Sequence, residues 1–340
     1  MVRGAAAREH NGAMQRFDSP LVAAAMVDAV RAGARICRAV QATLSAGDSM
    51  KKDDKSPVTV ADLATQAVVA RRLAAAFPEV PLVGEEDSKV FEEGDGPSLV
   101  QTVLGWVRKE WPAASESDMR AAIDLGRGEG GARGRFFTLD PIDGTKGFLR
   151  GGQYAIALAL IEDGRVVAGV LGCPNLVTPN GATGAVLVAV RGAGTRLLPI
   201  DGDDHAGVAA RVSTQGDPVK LRLCESVDPG HTDQSVSKAV LARLGVLAPS
   251  VRMDSQAKYA VLALGEGELY LRTPTKPGRS EWIWDHAAGV ICVEESGGRV
   301  TDLDGKPLDF GTGRALTANR GIVGTNGVLH GRVLAAVKTA

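Results

Sequence analysis

The chain has 340 residues, which is more than one hydrophobic core usually holds, so two lobes are predicted. A hydrophobic fraction of 44% suffices for a sizeable core, and 39 basic against 40 acidic side chains leave a formal net charge of −1. This balance argues against nucleic acid or an anionic membrane as a partner. No apolar run approaches the length of a membrane-spanning helix.

The N-terminal segment and the cysteines bear on the cellular setting. Residues 1–18 carry arginines among alanines without a hydrophobic secretory core, so a flexible tail is favoured over an organelle address. The four cysteines are widely spaced and form no CxxC pair, which argues against a zinc site or a disulfide framework. We expect reduced thiols and an intracellular monomer, with the cytoplasm favoured over a plastid or mitochondrion.

The first elements in chain order are helices with a strand between them. A capping residue and a proline at 18–20 begin a stretch in which apolar residues recur every three or four positions as far as Leu44, which predicts a helix. Residues 56–60 are β-like and lead to Asp62. Residues 63–77 are predicted to form the second helix.

Three adjacent acids, Glu85, Glu86 and Asp87, follow a short predicted strand over 81–84. Such acids repel one another unless a cation lies among them, although a solvated acidic loop explains the pattern equally well. The next segment, 91–135, is the least regular. Its helical stretches and glycine-rich run predict a mobile insertion that could serve as a lid.

The segment from Thr138 to Phe148 joins an apolar strand to a turn with two carboxylates, Asp140 and Asp143. These carboxylates and the Ile142 carbonyl are hard oxygen ligands of the kind that Mg²⁺ prefers. The backbone amides of Gly144 and Thr145 then offer an anion site. Taken alone, the same residues also fit an ordinary surface turn.

The rest of the chain is predicted to complete the first lobe and form a second. Asp163-Gly164 between two alternating apolar runs is a strong hairpin signal, and further strands follow up to residue 198. The polar segment 201–217 marks the predicted boundary, which gives lobes at 19–210 and 211–340. Strands alternate with helices in the second lobe, as in a small α/β unit.

Several acids each lie at the edge of a predicted helix or strand, and their joint occurrence is more informative than any single motif. Several carboxylates in one cleft repel one another, but the arrangement becomes favourable when divalent cations share them. With their flanking motifs, they resemble the magnesium-dependent, lithium-sensitive phosphatases of the inositol monophosphatase superfamily, specifically the 3′(2′),5′-bisphosphate nucleotidase branch. The resemblance spans roughly residues 19–330. The motifs that carry it lie at 54–62, 83–87, 140–150, 172–175, 254–259 and 283–289.

The resemblance implies a fold and a set of site residues. The fold is a two-lobed, layered αβαβα sandwich of the α+β or α/β class. Two or three Mg²⁺ ions would be held by Glu85, Asp140, the Ile142 carbonyl, Asp143 and Asp285. Asp62, with Thr145, would orient and deprotonate the attacking water, while Glu86 and Lys146 would lie behind these groups.

The same resemblance implies how a nucleotide bisphosphate is bound. The nucleotide and its other phosphate would contact His231, Ser255, Lys258 and Arg272, and Gly144, Thr145 and Asp285 would complete the substrate-binding residues. Each residue also has an ordinary interpretation: His231 as a surface or capping histidine, Ser255 as a helix cap, and the two cations as solvated charges. Trp282 and Trp284 are predicted to pack against the last helix, with Asp285 as its cap.

The predicted reaction removes the 3′-phosphate of adenosine 3′,5′-bisphosphate, with activity on 3′-phosphoadenosine 5′-phosphosulfate as an extension, which implies a role in sulfur metabolism. Lys146 and the 254–259 motif favour this nucleotide. An inositol polyphosphate 1-phosphatase is the alternative within the enzymes. A catalytically silent nucleotide or redox sensor is the alternative from another class.

Overall fold

A computed structural model of the protein describes residues 19–45, 57–92, 96–202, 207–228, 232–276, 278 and 280–340. The helices of these residues are α1 (Ser19–Ser45), α2 (Pro57–Ala76), α3 (Gly96–Glu110), α4 (Glu116–Asp124), α5 (Thr145–Leu149), α6 (Gln234–Leu244), α7 (Ala257–Ala263), α8 (Ala287–Glu295) and α9 (His330–Val337). Within the described part of the chain, no helix is long and apolar enough to cross a membrane.

The strands form two sheets. The first seven are β1 (Leu82–Gly84), β2 (Arg135–Asp143), β3 (Ala155–Glu162), β4 (Arg165–Val177), β5 (Thr183–Val190), β6 (Gly194–Pro199) and β7 (Val208–Ala209). The remaining strands are β8 (Leu223–Glu225), β9 (Val251–Arg252), β10 (Leu269–Arg272), β11 (Arg299–Thr301) and β12 (Ile322–Thr325).

The larger sheet has the strand order β1-β2-β3-β4-β5-β6-β7, and the smaller has the order β11-β12-β10-β8-β9. β1 runs parallel to β2, whereas the other neighbours in the larger sheet are antiparallel. The β3–β4 hairpin turns at Asp163 and Gly164, which both have positive φ, as the sequence predicted.

The elements stack in five layers, which confirms the predicted αβαβα sandwich. α1 and α2 pack on one face of the larger sheet, against residues such as Ile156 and Leu158. α7 and α8 lie between the two sheets and contact the opposite face, where β3 presents the smaller Ala157 and Ala159. α6 and α9 cover the far face of the smaller sheet.

Small residues on β4 allow α8 to lie close to the larger sheet. A Cβ atom at Gly169 would stand 2.4 Å from Cγ2 of Ile291 and 3.2 Å from Cα of Ala288.

Each sheet is built from strands on one side of the predicted boundary. However, α7 and α8, from the second half of the chain, share a core with the larger sheet. The division into two lobes therefore stays a prediction.

One prediction about the first half of the chain is wrong and another is refined by the structure. Residues 57–60 belong to the first turn of α2 and not to a strand. The helical stretches predicted within 91–135 are confirmed as α3 and α4, whose buried side chains, including Val103 and Met119, join the core that contains α2. Of its described residues, none lines the pocket discussed below, so its position does not support a lid.

Candidate active site

The site is built where two neighbouring parallel strands end. β1 and β2 pair so that Gly84 lies opposite Leu139, and each strand delivers an acid at the next position. These acids are Glu85 and Asp140. The backbone N–H of Glu85 donates to the carbonyl of Leu139 at 3.2 Å, which fixes the two acids side by side.

A β-bulge places the second aspartate of β2 near the first. Asp140 pairs with Ala157 and Asp143 with Ala155, so β2 carries one more residue than β3 across this interval. Bulges re-aim side chains and are common beside active sites. Gly144 follows with φ of 90°, and a Cβ atom there would stand 2.7 Å from the Cβ atom of Ser255. The turn therefore requires glycine.

One pocket collects most of the predicted site residues. Among its lining residues are Glu85, Asp140, Ile142, Asp143, Gly144, Thr145, Lys146, Ser255, Lys258, Arg272 and Asp285. Acids and cations separated by up to two hundred positions thus share one cavity. Asp62 and Glu86 are not in the lining, and His231 lies outside the described residues.

Asp62 is placed beside the pocket by α2. Its side chain is buried, and its charge acts on Asp140 while Glu86 and Glu85 act on it. Gln66, one turn later on α2, fixes the acidic segment by donating to the carbonyl of Glu86 at 2.7 Å and accepting from its N–H at 3.0 Å. The helix therefore brings Asp62 to the acids at the ends of β1 and β2.

Burial and mutual repulsion perturb these carboxyls. Burial raises the pKa of Asp62, Asp140 and Asp285 well above the usual range, and neighbouring acids raise each pKa further. The pKa of Glu85 is also raised, mainly because the surrounding protein removes water from its carboxyl and also because Asp143 is negatively charged. Burial, with Glu85 and Asp87, raises the pKa of Glu86 to about 7.

Two buried carboxylate oxygens, Oδ1 of Asp62 and Oδ1 of Asp140, have no hydrogen-bond partner. An unpartnered buried polar atom is costly unless a ligand satisfies it. A divalent cation would satisfy Asp140 and also offset the repulsion among the surrounding acids. The residues present at the end of β2 therefore fit a metal site.

The perturbed acids predict how stability depends on pH. Because the folded protein holds these protons to higher pH than the unfolded chain does, acid pH favours folding. The metal-free protein should lose stability as pH rises from about 4.3, where unfolded glutamate titrates, through about 7, the pKa of Glu86. The loss at this residue should be roughly 1–4 kcal/mol.

Urea unfolding of chelator-treated protein at about pH 5 and about pH 8 measures this loss. Mg²⁺ should restore more stability at the higher pH, and Glu86→Gln should reduce the pH dependence. A metal-free protein that becomes more stable across this interval would contradict the assignment.

Cationic side chains form another wall of the pocket. Lys258 is buried, with its Nζ atom 3.4 Å from the carbonyl oxygen of Met253 and 5.6 Å from the ring centroid of Tyr270. Burial lowers its pKa to about 8, and Asp143 opposes that change. Arg272 is largely buried at the end of β10, with its Nη2 atom 3.7 Å from Asp285 Oδ2. Neither cation is a solvated surface charge.

Arg272 is held by a buried acid that sequence reasoning did not single out. Glu281 Oε2 lies 2.6 Å from Arg272 Nη2 and 3.7 Å from His286 Nε2. Burial would raise the pKa of Glu281, but His286 and Arg272 hold it well below its usual range. Ligand atoms of Glu281, Asp285 and His286 lie within 4.8 Å of one another. The ion pair with Arg272 favours a role for Glu281 in positioning that guanidinium.

The segment before α7 joins the two walls. The backbone N–H of Gln256 donates to Asp143 Oδ2 at 2.5 Å. Ser255 has φ of 67°, and its hydroxyl accepts the N–H of Ala257 at 3.1 Å. The residue that caps α7 is Gln256, so the predicted cap role of Ser255 is replaced by a bond to the first helical residue.

Two ion pairs link the acidic turn to the second half of the chain. Lys146, on α5, pairs with Asp228, and Arg150 Nη2 lies 2.5 Å from Asp254 Oδ2. Lys146 lines the pocket directly, which differs from its predicted place behind the contacting groups. Asp228 immediately precedes the segment 229–231, which lies outside the described residues.

The prediction that Trp282 and Trp284 pack against the last helix with Asp285 as its cap is partly wrong. α8 begins at Ala287 with His286 as the preceding cap residue, so Asp285 is free of the capping role. Trp284 is buried as predicted, but Trp282 is 49% exposed and lines the pocket. The sequence gave no signal that separates the exposures of these two tryptophans, which lie two positions apart.

The four cysteines, Cys37, Cys173, Cys224 and Cys292, are unpaired and buried. Burial raises the pKa of Cys37, Cys173 and Cys224 to about 12, and that of Cys292 still further. Since the thiolate is the reactive form, these thiols are poor nucleophiles and poor redox sensors.

Comparison with known proteins agrees with this fold. The family model described as the inositol monophosphatase family matches residues 18–340. The chain belongs to the inositol monophosphatase family.

Its relatives identify the branch. A protein of Schizosaccharomyces pombe named 3′(2′),5′-bisphosphate nucleotidase is 43% identical over 292 residues, which cover 82% of this chain and 83% of that protein. A protein of the same name from Oryza sativa is 42% identical over 337 residues, which cover 93% of each. The resemblance predicted from the motifs is confirmed.

Solved structures support the fold. The extragenic suppressor protein suhB of Bartonella henselae superimposes with a TM-score of 0.62 at 21% identity, covering 94% of this chain and 99% of that one. Inositol monophosphatase of Anabaena gives a TM-score of 0.61 at 19% identity, covering 94% and 96%. At these identities the likeness shows the architecture alone.

Proposed function

We propose that this protein is a Mg²⁺-dependent phosphatase that hydrolyses the 3′-phosphate of adenosine 3′,5′-bisphosphate to give AMP and phosphate. The observation that carries the proposal is that several acids and two largely buried cations line one pocket. Four acids, Glu85, Asp140, Asp143 and Asp285, form one wall. Lys258 and Arg272 contribute to another. Relatives at 40–43% identity that bear the name of this activity support it.

The acidic wall would hold the metal ions, two or three in number. The ligands would be Glu85, Asp140, the Ile142 carbonyl, Asp143 and Asp285. The unpartnered Asp140 Oδ1 and the raised pKa values of the surrounding carboxyls support this assignment, because cations would replace protons there. Bound Mg²⁺ would lower the pKa of a water molecule and neutralise charge on phosphoryl oxygens.

Asp62 and Thr145 would handle the attacking water. Asp62 lies behind the acids, with one unpartnered carboxylate oxygen and a raised pKa, properties that suit a general base. Thr145 lines the pocket immediately after the acidic turn. The water oxygen bonds to phosphorus, the bond to the 3′-oxygen breaks, and that oxygen leaves with a proton as the 3′-hydroxyl.

The cationic wall would bind the other phosphate. Lys258 and Arg272 supply charge-assisted hydrogen bonds, and Arg272 offers a fork that matches two phosphate oxygens. Ser255 and Asp285, which line the same pocket, would contact the nucleoside and its phosphates, together with His231. Two cations in addition to the metal ions favour a bisphosphate over a monophosphate, and the phosphosulfate analogue fits the same charge pattern.

Two rival functions make different predictions. An inositol polyphosphate 1-phosphatase would use the same acids on a cyclitol, and a silent sensor would bind without turnover. Complete acidic ligands argue against the silent sensor, and buried thiols of raised pKa argue against redox sensing.

Phosphate release from purified protein separates the three functions. We expect turnover of adenosine 3′,5′-bisphosphate, with specific activity at least about 10-fold above that on inositol 1,4-bisphosphate, a difference of about 1.4 kcal/mol. Chelation should abolish the activity and Mg²⁺ should restore it. Preference for the inositol substrate would favour the first rival, and absence of turnover with retained AMP binding would favour the second.

A further inference from the structure

Trp282 is an exposed aromatic side chain of the pocket that the proposed chemistry does not use, whereas Tyr270, which also lines the pocket, is buried. Trp282 lines the cavity, and 49% of its surface is exposed, whereas its neighbour Trp284 is 5% exposed. Burial of aromatic surface stabilises a fold, so an indole that stays half exposed beside charged groups contributes little to the stability of the protein. Its place in the pocket points to a ligand.

The Trp282 ring is held in one orientation. Its centroid lies 5.0 Å from that of Trp284, and the two planes differ by 5°, so the rings form a parallel stack. The backbone of Trp282 also forms a β-bridge with Ala315. One face of the indole is therefore covered by Trp284, and the exposed surface belongs to the other face and the edges.

Trp284, on which Trp282 stacks, is itself held in place by Arg314. The guanidinium of Arg314 lies 4.9 Å from the Trp284 ring centroid. Its nitrogens donate to the carbonyls of Gly84 at 2.6 Å and Gly128 at 2.8 Å. Gly84 directly precedes Glu85, so the stacked rings are tied to the strand that delivers an acid to the pocket. A planar surface of fixed orientation loses little conformational entropy when it binds a ligand.

We propose that Trp282 is the platform on which the nucleobase of the substrate stacks, and that it is a specificity-determining residue. This inference rests on the proposed function. Every nucleobase has a π-face that stacks on aromatic side chains, whereas a cyclitol has none. The platform would thus favour a nucleoside bisphosphate over an inositol bisphosphate of similar charge, which is the distinction that the acids and cations alone do not make.

The test compares Trp282→Ala and Trp282→Phe on two substrates. These are adenosine 3′,5′-bisphosphate and its base-free analogue, 1-deoxyribose 3,5-bisphosphate. Trp282→Ala should raise KM for the nucleotide about 5- to 150-fold, the range expected for loss of one base–aromatic stack. It should change kcat and the KM for the base-free analogue less than about 2-fold. Trp282→Phe should recover most of the affinity, since it retains a π-face.

Trp111→Ala is the matched control. Trp111 is a partly buried tryptophan outside the pocket lining, with the Arg71 guanidinium 4.3 Å from its ring centroid. This variant should leave both KM values unchanged. An equal rise in KM for the two substrates, or an unchanged KM for the nucleotide in Trp282→Ala, would overturn the proposal.

Calorimetric binding of AMP separates failure of this inference from failure of the proposed function. If wild-type protein prefers the inositol substrate, the proposed function fails. The platform still predicts that AMP binds wild-type protein more tightly than Trp282→Ala by the same factor. Equal affinity, or no AMP binding to either, would overturn the platform itself.

Discussion

Asp140→Asn should lower the rate of phosphate release from adenosine 3′,5′-bisphosphate by about 10²–10³-fold or more, the cost of losing one preorganised group that stabilises transition-state charge. Asp140 is 2% exposed and lies on β2 immediately after Leu139, the last β2 residue that pairs with β1. The charges of Glu85, Asp143, Asp285 and Asp62 all act on it. Asparagine keeps the shape but removes the negative charge that a shared cation needs.

The same variant should fold at least as well as the wild type. In the absence of metal, the substitution removes a buried carboxyl whose ionisation is unfavourable, so metal-free Asp140→Asn should resist urea better near pH 7. Asp302→Asn serves as the matched control. Asp302 is a buried acid outside the pocket lining whose Oδ1 accepts two backbone N–H groups at 2.9 Å. Its kcat should match the wild type, and unchanged turnover in Asp140→Asn would remove the metal assignment.

Asp62→Asn should lower kcat by about 10²–10⁴-fold, the range for loss of general acid–base catalysis, with KM changed by less than about threefold. The reason is its position: Asp62 is buried on α2 beside the acids but is not in the pocket lining, so its proposed role is to act on the reacting water and not on substrate binding. Initial rates across a substrate series measure both constants.

Asp87→Asn is the comparison for this variant. Asp87 closes the run of three adjacent acids, but Arg127 lies 2.8 Å from it and, with the backbone N–H of Lys89, holds its pKa at about 2. Asp87 is thus an ion-pair partner at the surface, and its substitution should leave kcat unchanged. A large rise in KM for Asp62→Asn with kcat intact would assign Asp62 to substrate binding instead.

Local patterns predicted the elements whose signals were strong. The apolar stripe of α1 and the Asp163-Gly164 hairpin agree with the structure. The stretch before Asp62 was predicted as a strand because Val58, Thr59 and Val60 are β-branched. In the structure it opens a helix whose residues are buried on most sides, so tertiary packing overrides local propensity.

The site was predictable in its acids and less so in its supporting residues. The acids at the edges of regular elements and the family resemblance predicted that Glu85 and Asp140 share a site, and the parallel pairing of β1 with β2 brings them together. The partner of Arg272 could not be predicted, because Glu281 is nine positions away and its approach depends on how β10 packs against the segment before α8. The exposure of Trp282 likewise depends on the stacking of two rings that the sequence merely places two residues apart.

The most direct test of the metal assignment is anomalous X-ray scattering from crystals grown with Mn²⁺ and AMP. The account predicts anomalous peaks bonded to the carboxylates of Glu85, Asp140, Asp143 and Asp285, beside a bound nucleotide. Peaks confined to Glu281 and His286, or ions bound elsewhere while those four carboxylates hold none, would contradict it.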